Sequence, residues 1–131
     1  MISVALIADS GPALEAMTRS VAALPGVDIV RHCHGHAPIG AGLKRCAPDL
    51  VLLDEMHWPR LALQRLDELR ELLPDTRIVV RSARPDAGWH ADALRAGASA
   101  VVPATAGPET LGLVLQEVVS ERRESHPRVA A

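Results

Sequence analysis

Pro48-Asp49-Leu50-Val51-Leu52-Leu53-Asp54 is a four-residue apolar run with an acidic residue at each end. Leu50 to Leu53 are apolar at odd and even positions alike, so a strand here would bury both of its faces. Short runs of that kind suit the middle of a parallel sheet with helices on either side. The reading also puts Asp54 at the carboxyl end of the strand, where such sheets concentrate their binding and chemistry.

The same alternation of short apolar runs and longer helical periods extends in both directions. Towards the N-terminus, Ile2 to Ala8 reads as a first strand. Gly11-Pro12 then opens a helix in which Leu14, Met17, Val21 and Leu24 recur before Pro25-Gly26 ends it. Val27 to Cys33 reads as a second, weaker strand, followed by a short helix over Ala37 to Ala47 that Pro38, Gly40 and Gly42 disfavour. Towards the C-terminus, Leu61, Leu63, Leu66, Leu69 and Leu73 mark a helix that stops near Pro74, and Arg77 to Val80 leads as a strand into Ser82. A helix from Trp89 to Ala96 stops at Gly97, Ala98 to Pro103 is a fifth strand, and Pro108 opens a last helix through Leu111, Leu115, Val118 and Val119. Five strand–helix pairs in alternation predict one α/β domain over residues 1–120, an open parallel sheet with helices on both faces. The periodicity fades after Ser120, so residues 121–131 are expected to be a frayed helix end or a linker tail.

At 131 residues and 48% hydrophobic the chain can bury a real core, and its 23% of charged residues is near the soluble average of about 25%. With 14 Lys+Arg against 16 Asp+Glu the net charge is -2. There is no basic stripe and no Tyr or Phe, which argues against direct nucleic-acid binding. Cys33 and Cys46 make no disulfide framework, and MISVALIADS shows no basic leader with a cleavage site. No apolar run nears the roughly 20 residues of a membrane span, so a cytoplasmic location away from membranes is expected.

Three segments in this order, VALIADS (Val4 to Ser10), PDLVLLD (Pro48 to Asp54) and ALRAGASAVVPATAGPETL (Ala93 to Leu111), resemble the receiver domains of bacterial response regulators. The similarity covers residues 2 to about 119, and the last segment is most similar to the receivers of NarL/LuxR-type transcription regulators. The resemblance implies a flavodoxin-like (βα)5 sheet of order 2-1-3-4-5 and a regulatory domain rather than an enzyme. It also implies a homodimer, and contact with DNA only through an output domain outside this chain.

The resemblance implies, further, a pocket of five groups: a carboxylate that accepts a phosphoryl group, an acidic pair for Mg²⁺, a hydroxyl and a lysine on the phosphoryl oxygens, and an aromatic that turns inward. Asp54 matches the acceptor, Asp9 the first of the acidic pair, and Ser82 the hydroxyl. Ser10 replaces the second acid without its charge, Ala104 replaces the lysine, and Val101 replaces the aromatic. The loop after Asp54, Glu55-Met56-His57-Trp58-Pro59, departs as well. Two anionic side chains with no cationic neighbour would hold Mg²⁺ weakly at most, and no other cofactor and no catalytic residue are expected.

The expected function is therefore an atypical, or pseudo-, receiver that controls a transcriptional output by phosphorylation-independent dimerisation or by binding a small ligand or partner protein. A conventional phosphorelay receiver using Asp54 is the first alternative. A metal-binding domain is the second, because a strand would set His32, His34 and His36 on one side and Cys33 on the other, although no CxxC or HExxH spacing accompanies them. Asp9 could instead cap the first helix, and Trp58 and Trp89, the only aromatics, could line the emptied pocket.

Overall fold

The computed structural model describes residues 1–124. Strands β1 (Ile2–Ala8), β2 (Val27–His34), β3 (Leu50–Asp54), β4 (Arg77–Ser82) and β5 (Ala100–Pro103) alternate with helices α1 (Pro12–Ala22), α2 (Ala41–Cys46), α3 (Pro59–Leu72), α4 (Ala87–Arg95) and α5 (Pro108–Glu124). The strands form one parallel sheet in the order β2-β1-β3-β4-β5, as the resemblance implied.

Every residue of β3 is buried, which is what its two-sided apolarity required. Because side chains alternate along a strand, the sheet feeds two separate cores. Val51, Leu53, Ile78 and Val80 pack under Leu43 of α2, Leu66 and Leu69 of α3, and Trp89 and Ala93 of α4. Leu50, Leu52, Val79 and Val102 pack under Met17 and Val21 of α1 and Leu111, Leu115 and Val118 of α5. At the amino ends of the neighbouring strands β1 and β3 a polar latch joins the two. Ser3 N–H donates to Asp49 Oδ2 at 2.9 Å, and Asp49 N–H donates to Ser3 Oγ at 2.9 Å.

Several element ends differ from the sequence reading, each for a local reason. Helix α2 starts at Ala41 rather than Ala37, because Pro38 and Gly40 oppose a helical turn across residues 37–40. Helix α4 starts at Ala87 because Asp86 caps it, accepting the Trp89 N–H at 3.0 Å. Strand β5 begins at Ala100, two residues later than expected. Helix α5 runs to Glu124, into the stretch expected to be a frayed helix end or linker tail; the rest of that stretch lies outside the described residues. Among the described residues no helix is long and apolar enough to cross a membrane.

The carboxyl rim is shaped by one close approach. Gly35 donates its N–H to Ala8 O at 2.9 Å, and a Cβ at this position would collide with the Met56 thioether. The missing side chain lets Met56, 1% exposed, tuck the loop after β3 against the end of β2.

Candidate functional site

Strand β3 delivers Asp54 to the carboxyl rim, where it is 7% exposed. Arg81 of β4 is its partner in register and shares the face on which Leu52 and Val79 pack. Arg81 Nη1 donates to Asp54 Oδ1 at 3.3 Å and Nη2 donates to Ala104 O at 3.4 Å. The expectation of a pocket without a cation is thereby overturned. The lysine position at Ala104 is empty of charge, but a guanidinium reaches it from the adjacent strand.

Asp54 Oδ2 accepts the Met56 N–H at 3.1 Å, a side-chain turn that winds the loop tightly. Met56 and His57 follow in the left-handed region, at φ 62° and 56°. Burial raises the pKa of the Asp54 carboxyl; the Met56 N–H and the Arg81 charge pull it back, and the neighbouring Glu55 pushes it up again. A raised folded-state value means that the native protein binds this proton more tightly than the unfolded chain does. Stability is therefore lost as pH rises from the ordinary carboxylate value through the folded one. Asp54→Asn removes the charge but offers one oxygen and one NH2, so in this geometry it accepts from only one of Arg81 and Met56; its melting temperature relative to the parent protein should rise by about 2–4 °C between pH 4 and pH 7. Thermal melts of both proteins across that range measure it.

Asp9 follows β1, half-buried, with Oδ1 2.5 Å from His36 Nε2. It does not cap α1, whose N-cap is Gly11 at φ 99° with no side-chain cap bond. Ser10 is exposed. The expected row of three histidines is not formed, because β2 ends at His34 and the chain turns before His36. His32 and His34 instead line a cleft against Glu15, Thr18 and Arg19 of α1. No group of three His, Cys, Asp or Glu side chains is placed to hold a metal among the described residues.

The His36 ring meets Trp58 edge-on at 5.5 Å, and Trp58 stands 62% exposed above the rim. Trp89 does not line the pocket. It is buried in the core below α3 and α4, with its Nε1–H donating to Pro59 O at 3.1 Å. Val101 lies half-buried against the same core.

Besides Arg81, sequence reasoning missed two residues. Glu55, 2% exposed, accepts Ser82 Oγ–H at 3.2 Å and Ala83 N–H at 2.9 Å, and lies 3.4 Å from Arg84 Nε. Arg65 of α3, 5% exposed, donates through Nε to Gly35 O at 2.7 Å, through Nη2 to His36 O at 3.1 Å, and through Nη1 to both Glu68 carboxylate oxygens. Its fork holds the turn that brings His36 to Asp9. The available signals were a second acid directly after Asp54 and an arginine at the helical spacing of the apolar positions Ala62, Leu66 and Leu69.

The rim thus brings together Asp9, Asp54 and Ser82 as the sequence suggested; Asp54 and Ser82 already hydrogen-bond to Arg81 and Glu55, and Asp9 Oδ1 lies against His36 Nε2 without a hydrogen bond of regular geometry. These residues do not fit Mg²⁺. Mg²⁺ needs free, charged oxygens in near-octahedral array. Here one Asp9 oxygen faces an imidazole, both Asp54 oxygens accept hydrogen bonds, and Ser10 adds no charge.

No family model matches the chain, and neither does any curated protein. Solved structures do. A response regulator from Thermotoga maritima superposes with a TM-score of 0.72 at 20% identity, over 92% of this chain and 99% of that one. The signal receiver domain of the NarL response regulator from Mycobacterium tuberculosis gives 0.71 at 22% identity, over 91% and 96%. A LuxR-family two-component response regulator from Aurantimonas gives 0.76 at 20% identity, over 93% and 87%. With the same sheet order, the same five strand–helix pairs and near-complete coverage, the chain has the receiver-domain fold of response regulators.

Proposed function

We propose that this chain is a pseudo-receiver: a cytoplasmic regulatory domain in which the phosphorylation pocket is neutralised by its own side chains. The observation that carries this reading is the Arg81 guanidinium, which lies on Asp54 Oδ1 and Ala104 O, across the ground that an incoming phosphoryl group would take. His36 on Asp9 acts in the same sense, since it occupies the second anion. Mg²⁺ and phosphoryl donors are then not the inputs. The inputs are dimerisation or the binding of a small ligand or partner protein, read out by a DNA-binding output domain outside this chain. The LuxR-family context of some structural neighbours supports such an output.

A titration with beryllofluoride and Mg²⁺, followed by ¹⁹F NMR, tests the reading. The expected result is no saturable binding at millimolar concentrations. Saturable uptake that disappears in Asp54→Asn would sink it. One observation favours a second reading, a phospho-accepting receiver: Arg81 could serve as the counterion that the missing lysine would have been. The two readings give Arg81 opposite roles, as blocker or as helper, and they separate on its removal.

A further inference from the structure

Glu55 is the most buried charged side chain at the rim, and neither reading of Asp54 uses it. Its three partners lie at the end of β4 and in the short connection to α4: the hydroxyl of Ser82, the amide of Ala83 and the guanidinium of Arg84. Ser82 Oγ also accepts the Arg84 N–H at 3.1 Å, so the connection is folded around one hydroxyl that Glu55 holds from below. Two residues further on, Asp86 caps α4, and Trp89 in its first turn donates to Pro59 O at the start of α3. The start of α4 is therefore tied at two points, to the residue after β3 through a buried carboxylate and to the start of α3 through a single indole N–H.

Hydroxyl, backbone N–H and guanidinium converging on one point form a donor set for an oxyanion. Glu55 supplies that oxyanion from within the chain. We propose that Glu55 is a built-in anion that holds the β4–α4 connection, and with it the start of α4, in its anion-bound arrangement at all times. The surface that α4 presents is then fixed, and signals must enter this domain by another route than anion binding beneath that connection. None of the donors to Glu55 hydrogen-bonds to Asp54, but the proposal rests on the pseudo-receiver reading in one respect: it gives the Ser82 hydroxyl to Glu55 rather than to a phosphoryl group on Asp54.

The Ala83 amide is the natural reporter, since its bond to Glu55 is its protection. Hydrogen exchange followed residue by residue by NMR should show the amides of Ala83, Arg84 and Trp89 exchanging about tenfold faster or more in Glu55→Ala, with β1 and β3 unchanged. Formate at tens of millimolar, a free carboxylate that can fill the vacated space, should restore most of that protection. Glu55→Gln keeps the shape and loses the charge, so its Ala83 amide should exchange about fivefold faster, in line with the greater strength of charge-assisted bonds. If Glu55→Ala does not fold, Glu55→Gln decides alone. Unchanged exchange at Ala83 in either folded variant overturns the proposal. So does a uniform rise across the whole sheet without formate rescue, which would make Glu55 an ordinary part of the core.

Discussion

Arg65→Ala is expected to lower the unfolding free energy by about 2–4 kcal/mol, the combined cost of a buried carbonyl left without its donor and of the packing lost with the arginine stem. The side chain is 5% exposed, and its fork links α3 to two carbonyls of the turn after β2. Truncation leaves the buried Gly35 carbonyl without its donor and opens a cavity the length of the arginine stem. Glu68, about one-third exposed, is re-solvated and adds little. Urea denaturation measures the loss. Arg65→Lys should recover only part of it, because an ammonium cannot bridge two carbonyls and a carboxylate in one plane. A change under about 1 kcal/mol for Arg65→Ala would show that the turn holds itself.

Arg81→Ala carries the second large effect, and it decides between the two readings of the pocket. Asp54 loses its cation while staying buried beside Glu55, so the variant should be about 1–3 kcal/mol less stable at pH 7. The deficit should shrink on acidification, as Asp54 takes up the proton that its surroundings favour. On the pseudo-receiver reading, Asp54 Oδ1 is freed, and weak beryllofluoride uptake should appear that the parent protein lacks. On the phospho-accepting reading the developing charge loses its counterion, and acceptance from a small phosphodonor should fall about 10²–10³-fold. Uptake in the parent that Arg81→Ala abolishes would decide for the second reading.

The fold was legible because its signals are local. The two-sided apolarity of Leu50 to Leu53, the Pro12 and Pro108 helix entries and the Gly97 stop are each read within a few residues. Misplaced ends came from chemistry that pattern alone underweights, such as Asp86 reaching forward to the Trp89 amide. The positions of Asp9, Asp54 and Ser82 were legible for the same reason, since each ends a recognisable strand. Their partners were not. Arg81 meets Asp54 only through the β3–β4 register, and His36 meets Asp9 only because the chain turns at Gly35 under the hold of Arg65. A search for lysine at position 104 missed a cation that reaches the same place from β4. Had the parity of β4 been followed, Arg81 would have stood out as a charge on the side occupied by Leu52 and Val79.

The reciprocal bonds between Ser3 and Asp49 span 46 residues. Closing a loop of that size must precede any gain from the β1–β3 pair, while β1 and β2 can meet after only one intervening helix. The expected order of assembly puts the β1–α1–β2 unit early and the docking of β3 late. Weakening Ser3 or Asp49 should then show up mainly as faster unfolding, with the refolding rate little changed.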